Sequence, residues 1–130
     1  MTAPRLDDGT PFPTTYYLTC PKASGAVGTL ESEGLMKQMT ARLADDPELA
    51  AAYRTAHERY LADREELVEQ LGRGDVPEIA GISAGGMPDR VKCLHVLVAH
   101  SLAAGPGVNP LGDEALEALP DWWSGGSCLD

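Results

Sequence analysis

This chain has little positive charge: ten lysines and arginines face twenty aspartates and glutamates, a formal charge of -10. Such a balance repels phosphate backbones and anionic lipid, so it excludes sequence-independent nucleic-acid binding and favours basic or neutral partners. Aromatic residues are also scarce, at 5% with a single phenylalanine, while 43% of residues are apolar and many of these are alanine. A core poor in rings implies close helix packing and favours α over β. No apolar run approaches the roughly 18 residues that cross a bilayer, and Met1-Thr2-Ala3-Pro4-Arg5 has no signal-peptide character, so the reading is cytoplasmic without membrane insertion. Cysteine is limited to Cys20, Cys93 and Cys128. Three thiols cannot all pair within one chain, and cytosolic thiols stay reduced, so a disulfide framework is not expected.

A length of 130 residues matches one domain that buries about two thirds of its unfolded surface. Its parts read as an N-terminal hairpin over 1–20, a helical body over 21–104, and a C-terminal turn, short helix and tail over 105–130. The turn chemistry of Asp7-Asp8-Gly9-Thr10 separates Ala3-Pro4-Arg5-Leu6 from Thr14-Thr15-Tyr16-Tyr17-Leu18-Thr19, whose β-branched and aromatic residues predict a strand. Pro21 predicts a helix from Cys20 to Glu33, and Leu35, Met36, Met39 and Leu43 carry a second to Asp45. Asp46-Pro47-Glu48 is a strong start signal. The long helix behind it carries an apolar stripe of Leu49, Tyr53, Ala56, Tyr60, Leu67 and Leu71, which calls for a partner helix. His57 falls off that stripe and reads as solvated. A further helix is expected from Pro88 to Ala104, burying Val91, Leu94, Val98 and Leu102, and a short one from Glu114 to Leu119 behind the turn at Asn109. Trp122 and Trp123 read as a clamp for the C-terminus. The fold class expected is mainly α (α+β): a helical bundle with one short N-terminal β-hairpin.

The chemistry-bearing run is Gly85-Gly86-Met87-Pro88-Asp89-Arg90-Val91-Lys92-Cys93-Leu94-His95, where a core helix would carry Leu, Val and Ala. Zinc takes Cys, His or carboxylate ligands, and Cys20, Cys93, His95 and His100 are the candidates, with iron a lesser choice. Cys93, His95 and His100 are two, five and seven positions apart, so no two chelate easily from one regular helix, and the workable arrangement takes one of them and adds Cys20, with Cys128 as an optional further donor. The leading expectation is therefore a structural metal site where Cys20 meets the Cys93-His95 helix. A second reading makes Gly85, Gly86, Arg90 and Lys92 an anion cradle at a helix N-terminus, the mouth of an enzyme for small anionic substrates, although no Walker or dinucleotide fingerprint is present. A third is a metal-free interaction module that presents the long acidic helix to another protein. Bland alternatives are a buried Cys93 and a hydrogen-bonded core His95.

Phe12-Pro13-Thr14-Thr15-Tyr16-Tyr17-Leu18-Thr19-Cys20-Pro21, Gly85 to His95, and Gly105-Pro106-Gly107-Val108-Asn109-Pro110-Leu111-Gly112-Asp113 together give the chain a resemblance over essentially its whole length. It resembles the bacterial family catalogued as domain of unknown function 501, in its actinobacterial branch. The resemblance implies Cys20, Asp89, Arg90, Cys93, His95, Asn109 and Asp113 as the matching polar positions and assigns none a catalytic role. Members of that branch usually carry an earlier segment with a Cys-Pro-Cys-Gly-like run, which this chain is read as lacking; further thiol ligands would go with it. Neighbouring genes for a septum-formation protein and an exopolyphosphatase point, by association, to cell division or polyphosphate physiology.

Overall fold

The computed structural model describes residues 14–72 and 76–120. Among the described residues five α-helices follow one another: α1 Pro21–Ser32, α2 Leu35–Asp45, α3 Pro47–Leu71, α4 Leu94–Ala104 and α5 Pro110–Ala118, with one 3-10 turn at Pro77–Ile79. Local chemistry sets most of these limits. Pro21, Pro47 and Pro110 each stand in a first helical turn, where a missing N–H costs nothing. Asp46 accepts the Leu49 N–H at 3.1 Å and Asn109 the Gly112 N–H at 3.0 Å, so α3 and α5 begin on side-chain caps. Gly34, at φ 83°, breaks α1 from α2, and Gly72, at φ 63°, ends α3 by donating its N–H to Val68 and Glu69 carbonyls.

Helix α4 packs on α5 and α1, α2 packs on α3, and α3 reaches α5, so the helices close around one apolar centre. Val27, Met39, Tyr53, Tyr60, Leu94, Leu97, Val98 and Leu111 fill it. Rings matter more here than their scarcity suggested: Tyr53 and Tyr60 are the largest fully buried side chains. Each brings a hydroxyl that must be satisfied. Tyr53 Oη donates to the Arg90 carbonyl at 2.9 Å, and Tyr60 Oη accepts the N–H groups of Thr15 and Tyr16.

Those last bonds correct the expected hairpin. Among the described residues there is no strand; the backbone of Thr15 and Tyr16 is tied to α3 instead of to another strand. The proposed first arm and turn, like Trp122, Trp123 and Cys128, lie outside the described residues.

The stripe of α3 is turned in its second half. Tyr53, Ala56 and Tyr60 are buried as expected, but the next buried positions are Arg64 and Val68, and Leu71 is exposed. Arg64 satisfies its buried guanidinium partly on the Ile79 carbonyl. His57 is buried rather than solvated, with Nδ1 2.7 Å from the Ser83 hydroxyl. Burial is the main cause that holds its imidazole pKa below the ordinary value.

The largest departure is the segment 84–92, which is not helical. Gly85 and Gly86 have φ of 67° and 88°, and the Gly86 carbonyl accepts from the Asp89 and Arg90 N–H groups. A Cβ on Gly86 would lie 2.9 Å from the Arg90 carbonyl oxygen, so the turn needs glycine for space as well as for φ. Tyr53 takes the Arg90 carbonyl and Thr40 the Val91 N–H, which uses backbone groups a helix would have paired internally. Helix α4 therefore starts at Leu94, and its buried face includes Leu97 while Leu102 is exposed. Helix α5 starts earlier than expected, at Pro110. No helix among the described residues is long and apolar enough to cross a membrane.

Candidate metal centre

Helix α1 presents Ser24 and Glu31, seven residues apart and so almost in line along one face, to the start of α4. The Glu31 carboxylate divides between two partners: Oε2 accepts the Leu94 N–H at 3.2 Å, and Oε1 lies 2.7 Å from Nδ1 of His95. The first contact puts an anion on the free N–H groups and positive dipole end of α4. The other ring nitrogen of His95, Nε2, is 3.1 Å from the Ser24 carbonyl oxygen. A carbonyl can only accept, so Nε2 carries a hydrogen.

Cys93 occupies the N-cap position of α4 in extended conformation, two residues before His95, and its thiol is free. One ligand atom each from Glu31, Cys93 and His95 lies within 4.8 Å of the others. All three residues are partly exposed; the His95 and Glu31 side chains retain 33% and 21% of their surface. The i,i+2 spacing is unsuitable on a regular helix. It works here because Cys93 precedes the first turn and is not on the helical spiral.

The other candidate ligands are elsewhere. Cys20 is disulfide-bonded, so it offers no thiolate and departs from the expectation of reduced thiols. It also stands eleven residues before Glu31 on α1, about 16 Å of helix rise. His100 is fully buried in the core, stacked on the Tyr16 ring and edge-on to Tyr60. Its Nδ1 is 3.2 Å from the Asn109 amide nitrogen. Since the Asn109 oxygen is taken by Gly112, its NH₂ donates to His100, and burial holds this imidazole pKa below the ordinary value. A neutral, enclosed ring of this kind is a core element.

The anion cradle is not assembled as expected. Gly85 and Gly86 form the turn described above, Asp89, Arg90 and Lys92 are exposed on it, and the N-terminus of α4 is capped by Glu31. Asp113, in the first turn of α5, accepts the Gly107 N–H at 2.9 Å and fastens the preceding loop. The two ring nitrogens of His95 are directed at Glu31 and Ser24, so this imidazole is not placed to activate the Cys93 thiol as a nucleophile. Glu31 and Ser24 were absent from the sequence reading; the separation of more than sixty residues gives no local signal.

Residues 1–117 match the model of the family described as "Protein of unknown function (DUF501)", and the chain belongs to that family. No curated protein and no solved structure matches it.

Proposed function

We propose that this member of the family binds one divalent transition-metal ion through Glu31, Cys93 and His95, and that the ion fastens α1 to the start of α4. The supporting observation is the convergence of one carboxylate, one thiol and one imidazole, with the rest of two ligands already held by backbone. Metal-bound histidines characteristically donate their second N–H to a carbonyl or carboxylate, and ligating carboxylates are themselves hydrogen-bonded. Ser24 and Leu94 supply these partners. A set of one sulfur, one nitrogen and one oxygen suits zinc, whereas non-haem iron sites prefer two imidazoles and a carboxylate.

Three protein donors are one fewer than a closed structural zinc centre uses, which leaves a position for solvent. Five depressions among the described residues are lined without Glu31, Cys93 or His95, which supports a stabilising ion over a catalytic one. The competing account is an ion-free Glu31–His95 contact that simply joins two helices.

Elemental analysis of the full chain by plasma mass spectrometry, followed by cobalt(II) titration, separates the two. The proposal expects one ion per chain, a thiolate-to-cobalt absorption band, and loss of both in Cys93→Ser and His95→Gln. Substoichiometric metal together with a cobalt spectrum lacking the thiolate band would sink it.

A further inference from the structure

An apolar groove runs along the outer side of α2, and its charge is opposite to that of the protein as a whole. One depression of about 480 Å³ is bounded by Met36, Lys37, Thr40 and Ala41 of α2 and by Val91 and Lys92 of the 84–92 turn. Its only charged residues are the two lysines, in a chain with twice as many acids as bases. A second depression of about 510 Å³ shares Thr40 and continues over Leu43 and Ala44 to Ala50 and Arg54 of α3, with Asp89 at its edge. Lys37, Lys92 and Arg54 are exposed, and none is held by a carboxylate among the described residues. The groove therefore offers an apolar floor between three free cations and one carboxylate. Thr40 takes the Val91 N–H at 3.0 Å and so ties one wall to the other.

We infer that this groove docks an acidic amphipathic helix of a partner protein. Helix-in-groove recognition places a stripe of apolar anchors in such a depression, and here glutamates or aspartates flanking that stripe meet Lys37, Lys92 and Arg54. Lysine stems extend the apolar wall while the ammonium groups stay in water. Helix α2 has 11 residues, about 16 Å of length, which accommodates about three turns of a partner. An interface of that size belongs to the small, transient class. An anionic bilayer is a poorer occupant: it would face the whole charge of -10, whereas one helix faces only the groove.

The test uses the full chain and a fluorescein-labelled synthetic helix with leucines on one face and glutamates on the other. Controls are the same peptide with lysine replacing glutamate and vesicles of phosphatidylglycerol. Saturable anisotropy is expected with the acidic peptide alone, with ¹⁵N shift changes at Met36, Thr40, Ala41 and Val91. The exposed double variant Lys37→Glu/Lys92→Glu should weaken binding by about tenfold or more. The inference is overturned by binding that this variant leaves unchanged, by shifts mapping elsewhere, by equal binding of the lysine peptide or the vesicles, or by no saturable binding.

Discussion

Gly112→Ala should destabilise the protein although it improves helix propensity, and the sign is the informative part. Gly112 lies inside α5, where alanine in place of glycine gains about 1 kcal/mol in an exposed helix. Yet a Cβ on this residue would run into the backbone carbonyl of Leu97 and the hydroxyl of Ser101, both on α4. Neither atom is the loose end of a long side chain; Leu97 O is helix backbone, and Ser101 Oγ donates to the Asn109 carbonyl at 3.3 Å. Forcing one methyl into such a contact costs about 1–3 kcal/mol, and immobile neighbours put this site at the upper end. The net loss is then about 2 kcal/mol, or about 7 °C in Tm for a chain of this length. Gly25→Ala is the matched control, since Gly25 is helical, exposed and has nothing within 4 Å of its added Cβ. It should raise Tm by about 4 °C. Urea denaturation and thermal circular dichroism on both variants measure the pair. A Gly112→Ala protein as stable as the parent would refute the close crossing of α4 over α5.

Stability should also fall on mild acidification. His57 and His100 are both held below their ordinary imidazole range, chiefly by burial, so the unfolded chain takes up protons before the folded one. Their contribution is complete above about pH 6.5 and is lost as pH drops below it, by up to about 1.4 kcal/mol per pH unit per ring until the folded groups titrate. Urea midpoints across this range should slope, and His100→Phe should reduce the slope. Two helix caps should differ in cost: Asp46→Ala removes an exposed cap worth about 1 kcal/mol. Asn109→Ala removes a buried cap that also serves His100, so about 2–4 kcal/mol is expected from chemical denaturation. If the metal proposal holds, zinc at a hundred times its Kd should stabilise the parent by about 2.7 kcal/mol, and the Cys93→Ser variant not at all. Equal zinc effects on the two proteins would remove Cys93 from the site.

Helix limits were legible wherever they depend on neighbours in sequence. Pro21 and Asp46-Pro47 act within one turn, and they open α1 and α3 without help from the rest of the chain. Periodicity identified Tyr53, Ala56, Tyr60, Leu94 and Val98 as core, because alternation on a helix reports which face is apolar. It failed at Arg64 and His57. A polar side chain can be buried when a distant carbonyl or hydroxyl satisfies it, and Ile79 and Ser83 are invisible to a local pattern.

Composition and local signals by themselves determined a mainly helical chain, its net negative charge, and Cys93 and His95 as candidate metal ligands. Tertiary structure alone decided that the 84–92 segment is a turn, because Tyr53 and Thr40 hold its backbone from outside. It also decided that Glu31, not Cys20 or His100, stands beside Cys93 and His95. Ligand sets and buried polar pairs are properties of approach between elements, and the α1–α4 approach joins positions more than sixty residues apart. Spacing along the chain carries information over a helical turn or two; beyond that, packing chooses the neighbours.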